Sequence, residues 1–225
     1  MSQETLVTFI RNHTRLDSPS YLPEIKLHLA DEAFDLWEAT ERQMGTTHLA
    51  PPFWAFAWPG GMALARYVLD HPDLVAGRRV LDLAAGSGVV AIAAAMAGAK
   101  EVTASEIDPL AVTAITLNAT ANGVSVRTVL GDILDGDGED AQVVLAGDVF
   151  YEKLMAERVM AFLERVTRRG AQVMVGDPGR TYLPRTRFQQ AAVQQVPVNR
   201  ALEDADVKTT TVWRLPVTVS PDRTD

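Results

Sequence analysis

The segment that most constrains the fold is residues 80–91, where a short apolar run leads directly into a glycine-containing turn and an alanine-rich stretch. Gly86, Gly88 and Ala91 have the spacing G-x-G-x-x-G/A. When such a turn joins a strand to a helix, its backbone approaches a nucleotide-like ligand at the first turn of the helix. The segment therefore predicts a strand–turn–helix unit that binds a ligand of this kind.

The chain beyond this unit continues to alternate strands and helices. The predicted strands are residues 80–84, 101–105, 124–130, 143–146 and 172–176, and the helices between them are residues 87–97, 108–121 and 153–169. Two β-rich runs follow, at residues 192–198 and 209–215, with no strong helix between them. This order indicates an α/β, Rossmann-like fold with a mostly parallel sheet, helices on both faces and an antiparallel strand at one edge.

The first 50 residues do not show this alternation. We expect residues 1–50 to form an N-terminal extension that packs on a main domain at residues 51–225. We predict a helix at residues 2–14, a half-buried strand at 24–30 and an irregular segment or short strand at 34–42. Residues 51–61, rich in proline and glycine, should be irregular, and residues 62–69 should form a helix.

Composition and charge exclude several classes of protein. The 225 residues are 47% hydrophobic and 22% charged, as in an ordinary globular chain. A net charge of −8 without a basic stripe argues against nucleic-acid binding, and no apolar run reaches the roughly 18–20 residues of a membrane helix. The chain has no cysteine, which fits a reducing compartment, and its four histidines are 15, 20 and 23 residues apart, so we expect no metal site. We also expect a cytoplasmic protein that is a monomer.

Three acidic residues at or just after predicted strands decide between possible ligands. Asp82, Glu106 and Asp132 would place carboxylates near the turn, where they would repel the pyrophosphate of a dinucleotide. S-adenosylmethionine has no phosphate and carries an ammonium and a sulfonium group. We therefore predict that Asp82 faces these cationic groups, that Glu106 accepts hydrogen bonds from the ribose hydroxyls and that Asp132 accepts one from the adenine amino group. The alternative is that all three are ordinary loop acids.

The loop after the fourth predicted strand contains Asp148 and Tyr151. We predict that Asp148 orients an incoming amine and that Tyr151 forms one wall of its slot, through a cation–π contact of about 0.5–2 kcal/mol. An exposed carboxylate with a pKa near 3.9 is a poor base, so orientation is favoured over proton transfer. The alternative is that Asp148 caps the next helix and that the aromatic residues are core. Trp58 either covers the cofactor or fills a core. Residues 176–180 are typical of a turn, and the alternative is that they help to shape the acceptor channel.

These residues together resemble a known enzyme class. Residues 80–88 resemble the first motif of class I (seven-β-strand) methyltransferases, with Ala84 where many members have glycine, and residues 148–151 match the D-x-x-Y motif of a lysine methyltransferase group. Over about residues 53–180 the chain is similar to the electron-transfer flavoprotein β-subunit lysine methyltransferases. The resemblance implies a seven-stranded sheet of order 3-2-1-4-5-7-6 and methylation of lysines beside the loop that docks partner dehydrogenases.

The residues and the resemblance together predict the composition of the site. The predicted catalytic residues are Asp148 and Tyr151, with no metal. The predicted cofactor-binding residues are Trp58, Asp82, Ala84, Gly86, Gly88, Glu106, Ile107, Asp132 and Gly147. The methyl donor would be S-adenosyl-L-methionine, the product S-adenosyl-L-homocysteine, and the partner the β subunit of electron-transfer flavoprotein, with no nucleic acid or membrane involved.

Three rival functions are compatible with the same motifs. The chain could methylate a ribosomal protein, it could methylate a small molecule, or it could bind S-adenosylmethionine without catalysing a reaction.

Overall fold

Residues 2–216 are described by a computed structural model; residues 217–225 of the expected main domain lie outside the described residues. The helices are α1 (Gln3–His13), α2 (Ala33–Met44), α3 (Pro59–Asp70), α4 (Val89–Met96), α5 (Pro109–Ala121), α6 (Lys153–Arg168) and α7 (Arg200–Glu203). The strands are β1 (Arg15–Asp17), β2 (Leu27–Leu29), β3 (Arg79–Leu83), β4 (Glu101–Glu106), β5 (Arg127–Leu130), β6 (Val143–Gly147), β7 (Gln172–Asp177), β8 (Gln189–Pro197) and β9 (Val207–Leu215). No helix within the described range is long and apolar enough to cross a membrane.

Strands β3 to β9 form one sheet of order β5-β4-β3-β6-β7-β9-β8. The first five strands in this order are parallel to one another, whereas β9 is antiparallel to both β7 and β8. Numbered from β3, this order is 3-2-1-4-5-7-6, which confirms the predicted sheet and its antiparallel edge. Because the strand order reverses between β3 and β6, a crevice opens at the carboxyl ends of these two strands.

Helices cover both faces of the sheet, as predicted. Helices α3, α4 and α5 contact one face, and α6 contacts the other. Successive side chains of a strand point to opposite faces. Leu145 of β6 accordingly belongs to the same buried cluster as Ile92 of α4, while its neighbour Val144 belongs to a second cluster with Phe162 and Leu163 of α6.

The second face is thinner at one end of the sheet. Residues 131–142 join β5 to β6 through turns, without a helix. A cavity of about 490 Å³ is lined by this connection and by β3, β4 and β5. The residues of β5 are exposed or only half-buried. Strand β5 is therefore an edge strand with little packing on one side.

The N-terminal residues pack against α5. Phe9 and Ile10 of α1 share a buried cluster with Trp54 and with Leu110 of α5. The predicted helix at residues 2–14 is confirmed as α1, whose first turn is capped by the hydroxyl of Ser2. The predicted strand at 24–30 is confirmed as the shorter β2, which pairs with β1 in antiparallel orientation.

The prediction of an irregular segment or short strand at residues 34–42 is wrong, because α2 occupies this region. Its buried residues Leu36, Ala39 and Thr40 have the i, i+3, i+4 spacing of one helix face. The helix ends at Gly45, whose φ of +67° is the left-handed conformation that commonly terminates helices.

The prediction that the chain is irregular as far as Gly61 is wrong from Pro59 onward. Pro59 is the first residue of α3, a position that suits the fixed φ of proline and its missing N–H group. Gly60 and Gly61 consequently lie in the first turn of a helix, while a short 3₁₀ turn occupies Phe53–Ala55.

We expect Leu163→Ala to lower the free energy of unfolding by about 2–5 kcal/mol, because it leaves a cavity in the cluster beneath α6. Leu154→Ala is the matched control, since Leu154 lies on the same helix and is 68% exposed; its change should stay within about 0.5 kcal/mol. Urea denaturation followed by circular dichroism measures both values. Similar losses in the two variants would contradict the described packing of α6.

Candidate functional site

A cleft lies at the carboxyl ends of the parallel strands, beside the reversal of strand order. Its larger cavity, of about 510 Å³, is lined by the predicted site residues Ala84, Glu106, Ile107, Asp132 and Tyr151. A smaller cavity of about 50 Å³ is lined by the remaining predicted residues except Gly88, namely Trp58, Asp82, Gly86, Gly147 and Asp148, and again by Ala84. The two cavities therefore adjoin at Ala84, and the structure brings the predicted cofactor and acceptor residues together.

The glycine turn leaves open space at one glycine and packs tightly at the other. Gly86 has a φ of +54°, and a Cβ atom there would meet no atom within 4 Å. Gly88 has a φ of +77° and caps α4, and a Cβ atom there would lie 3.1 Å from Ile115 of α5. Gly86 thus leaves room beside the smaller cavity, whereas Gly88 allows α5 to approach the turn.

Two carboxylates lie behind this turn and bind its backbone. The Oδ2 atom of Asp82 accepts a hydrogen bond from the N–H of Ala91 at 2.9 Å. The Oε1 atom of Glu106 accepts one from Gly86 at 2.9 Å, and its Oε2 atom accepts one from Ile107 at 2.8 Å. Burial raises the pKa of Asp82 to about 8, and the charge of Glu106 adds to this shift. Burial also raises the pKa of Glu106. A cation in the cleft would lower both pKa values.

Three other predicted cofactor residues border the larger cavity. Both oxygens of Asp132 have partners, since one accepts from Arg158 at 2.6 Å and the other from the backbone N–H of Leu134. Its bond to an adenine amino group stays a prediction. Ala84 has a φ of +52°, in the left-handed region where glycine is unstrained. Ile107 is largely exposed and offers an apolar surface at the cavity rim.

The Asp148 side chain, 12% exposed, lies at the smaller cavity, and both of its oxygens accept hydrogen bonds. Its Oδ2 atom accepts the N–H of Gly61 at 2.8 Å, and its Oδ1 atom lies 2.9 Å from Nη2 of Arg180. Burial raises the pKa of Asp148 to about 6, against the lowering effect of Arg180. The premise of an exposed carboxylate with an ordinary pKa is therefore wrong.

The alternative role for Asp148 as a helix cap is also wrong. Helix α6 begins at Lys153, and the side chain of Glu152 caps it by accepting the N–H groups of Leu154 and Met155. Asp148 instead lies five residues earlier with a φ of +55°. Non-glycine residues in this left-handed region are uncommon and cluster in turns and at functional sites.

The loop containing Asp148 is held by unusually close backbone contacts with the start of α3. A Cβ atom on Gly60 would lie 2.3 Å from the carbonyl oxygen of Gly176 and 2.5 Å from Oδ2 of Asp148. A Cβ atom on Gly147 would lie 2.7 Å from Cα of Gly61. Only glycine permits this approach. The sequence showed the adjacent glycines but not that they face the ends of β6 and β7.

Aromatic residues form one side of the cleft. Tyr151 is 47% exposed, and its ring lies 5.6 Å from that of Phe53. The indole N–H of Trp58 donates to the carbonyl oxygen of Phe53 at 2.8 Å. Phe150, by contrast, is fully buried, so the core alternative holds for Phe150 and not for Tyr151.

Sequence reasoning missed the strongest ion pairs at this site. Asp177 forms the predicted turn, because its Oδ1 atom accepts the N–H groups of Gly179 and Arg180. The guanidinium of Arg180, however, leaves that turn to bind both Asp148 and Glu203. No local pattern links these acids, which are 55 residues apart in the chain. The described residues contain no group of three or more His, Asp or Glu side chains that could hold a metal ion.

Comparison with known proteins identifies the family. The family model described as ribosomal protein L11 methyltransferase (PrmA) matches residues 63–175. The electron transfer flavoprotein beta subunit lysine methyltransferase of Danio rerio is 35% identical over 220 residues, which cover 95% of this chain and 84% of the relative. The human protein of the same name is 37% identical over 213 residues, covering 91% of this chain and 80% of the relative.

Solved structures share the fold at low identity. A Pyrococcus horikoshii protein has a TM-score of 0.59 at 17% identity, covering 77% of this chain and 92% of that one. The magnesium protoporphyrin IX methyltransferase of Synechocystis PCC 6803, solved with S-adenosylmethionine bound, has a TM-score of 0.51 at 17% identity, covering 69% of this chain and 78% of that one. At 35–37% identity over more than nine tenths of its length, this chain belongs to the electron transfer flavoprotein β subunit lysine methyltransferase family.

Proposed function

We propose that this protein transfers the methyl group of S-adenosyl-L-methionine to lysine side chains of the β subunit of an electron-transfer flavoprotein. The observation that carries the proposal is the smaller cavity. It is lined both by Asp82 and Gly86, which belong to the glycine turn, and by Trp58 and Asp148, which belong to the acceptor side. A donor bound at the turn and an amine beside Asp148 would therefore meet at the same cavity.

The residues of the cleft fit this methyl donor. A side chain at Gly86 would project into open space, which leaves room for a ligand at the turn. Asp82 would bind the ammonium group and Glu106 the ribose hydroxyls, while Ala84 and Ile107 would supply apolar surface. The buried carboxylates behind the turn would repel a pyrophosphate and attract a cationic ligand.

When bound, S-adenosyl-L-methionine supplies a methyl group on a positively charged sulfur, which a neutral lysine amine displaces in line to leave S-adenosyl-L-homocysteine. A lysine with a pKa near 10.4 is neutral only about once in a thousand molecules near pH 7.4, a handicap of roughly 4 kcal/mol. The aromatic rings of Phe56 and Trp58, which line the smaller cavity, would desolvate the amine and lower its pKa. The proton can then leave to water before attack, so no dedicated base is required. Asp148 would orient the amine, and orientation can contribute up to about 7–11 kcal/mol in well-aligned systems.

The ribosomal-protein alternative has one observation in its favour, the match to the L11 methyltransferase model. That match covers residues 63–175. This range includes the glycine turn, the acidic residues of the proposed cofactor site and the loop that contains Asp148. The flavoprotein methyltransferases match almost the whole chain, including the N-terminal residues and the β8–β9 pair. We therefore propose the flavoprotein subunit as the substrate. We also propose that the enzyme is monomeric and cytoplasmic, and that its residues 1–50 pack on the catalytic domain. The net charge of −8 would favour encounter with a lysine-bearing surface.

In the deciding experiment, the enzyme and labelled S-adenosylmethionine are incubated in three separate reactions. One contains purified electron-transfer flavoprotein, one purified ribosomal protein L11 and one a metabolite extract. Mass spectrometry of the labelled product identifies the modified residue. Label on lysines of the flavoprotein β subunit is the expected result. Label only on L11 or on a small molecule would contradict the proposed substrate, and binding without transfer to any acceptor would indicate a non-catalytic protein.

Asp148→Asn should reduce methyl transfer by about 100-fold or more, since the neutral amide cannot orient the amine as a carboxylate does. Asparagine tolerates a positive φ better than alanine does, and it keeps one of the two oxygen acceptors that bind Gly61 and Arg180. The dissociation constant for S-adenosylhomocysteine, measured by calorimetry, should stay within a few-fold. Asp140→Asn, at an exposed position outside the cleft, is the control. Unchanged turnover in Asp148→Asn would refute the assignment of Asp148.

Gly86→Val should abolish S-adenosylhomocysteine binding in the same calorimetric assay, because the branched side chain would fill the space beside the turn. Gly77→Val is a matched control. Gly77 also has a positive φ, of +71°, and a Cβ atom there would likewise meet no atom within 4 Å, but Gly77 lines neither cavity of the cleft. Equal loss of binding in both variants would attribute the effect to backbone strain and not to the cofactor site.

A further inference from the structure

We propose that Arg180 and Glu203 are positioning residues that hold the Asp148 carboxylate in place at the acceptor slot. This inference rests on the proposed function of Asp148. It gives a specific role to Arg180, which the sequence placed in a turn or in the acceptor channel, and adds Glu203, to which the sequence assigned no role. Arg180 acts directly on Asp148, and Glu203 acts through Arg180.

The contact geometry carries the proposal. A single nitrogen of Arg180, Nη2, lies 2.9 Å from Oδ1 of Asp148 and 2.6 Å from Oε1 of Glu203. The side chains are 22%, 12% and 4% exposed for Arg180, Asp148 and Glu203. Ion pairs shielded from water in this way are stronger and more geometrically defined than pairs at the surface.

The two oxygens of Asp148 are held by different donors. The start of α3 donates the Gly61 N–H to Oδ2, while Arg180 binds Oδ1. Two donors on separate oxygens define the plane of a carboxylate as well as its position. The carbon of the Arg180 guanidinium also lies 5.8 Å from the centre of the Trp58 ring, and Trp58 lines the same small cavity. Arg180 therefore contacts two of the residues that border the acceptor slot.

Glu203 connects this slot to a distant part of the chain. It lies in α7, on the connection between β8 and β9, and its Oε2 atom is 3.4 Å from Nζ of Lys208 on β9. Glu203 and Trp58 both line a cleft of about 310 Å³ between residues 19–30 and residues 197–203. The connection between the two antiparallel strands thereby contributes Glu203 to the site at the ends of the parallel strands.

The surrounding charges set the ionisation of Asp148. Arg180 lowers the pKa of Asp148, whereas Asp177 at the end of β7 raises it. Glu203 shares the positive charge of Arg180, and Lys208 lies behind Glu203. Asp82, across the small cavity, is the remaining acid that lines it. Removal of Arg180 should take away the one cation in direct contact with Asp148 and so favour its protonation near neutral pH. Loss of the Glu203 charge should let Arg180 favour the Asp148 anion more strongly.

The test measures the pKa of Asp148 directly and compares it with catalysis. Protein labelled with ¹³C at aspartate carboxyl carbons is titrated by NMR, and Asp148→Asn assigns the resonance. The acid limb of kcat/KM for methylation of purified electron-transfer flavoprotein is recorded in parallel. In Arg180→Gln we expect both midpoints to rise by about one to three pH units, so that activity recovers at higher pH. Arg180→Lys should shift them less, and Glu203→Gln should shift them in the opposite direction.

Arg187→Gln is the control, because it removes an arginine from a carboxylate pair in the same loop region but at a half-exposed position. It should move neither midpoint. A purely structural role for Arg180 would lower kcat/KM by the same factor at every pH, and that result would overturn the inference. So would a shifted NMR titration with an unshifted acid limb. If the wild-type enzyme labels no flavoprotein lysine, the proposed function fails instead, while the NMR titration still decides whether Arg180 and Glu203 control Asp148.

Discussion

The site depends on the close contact between the start of α3 and the ends of β6 and β7. Gly60 and Gly61 on the helix meet Gly147 and Gly176 on the strands at distances that no side chain would permit. This contact presents a helix N–H group to Asp148 and encloses the smaller cavity between the glycine turn and the acceptor side. An N–H group at the start of a helix is a favourable partner for a carboxylate, which helps to keep a buried acid in this position.

Electrostatics then divides the cleft into two parts. The donor side has the buried Asp82 and the partly buried Glu106, and loss of hydration raises the pKa of both carboxyl groups. Both accept hydrogen bonds from backbone N–H groups of the turn and its helix, which carry no full charge, so a cationic ligand would relieve the cost of burying them. The acceptor side also has a buried acid, Asp148, but here Arg180 already compensates it. The donor side can thus bind a cation strongly, while the acceptor side is better suited to a neutral amine.

The sequence was sufficient to predict the parallel part of the fold, because strands and helices there alternate and are punctuated by turn residues such as Gly86, Asp108 and Asn122. It also placed Asp148 correctly, at the carboxyl ends of the parallel strands. Helix α2 was missed because its helical stripe is short and interrupted by charged residues. The partners of Asp148 were missed for a different reason: Gly61, Arg180 and Glu203 come from three separate parts of the chain, and only the tertiary fold brings them together.

The lack of a helix between β5 and β6 has a consequence for the donor side. Strand β5 has one neighbouring strand and little cover on its second face, yet the residues that follow it form a wall of the larger cavity. Regions with few buried contacts open locally at low free-energy cost. Occupancy of the cleft would oppose that opening by mass action, so the β5 edge would gain protection from hydrogen exchange when the methyl donor is bound.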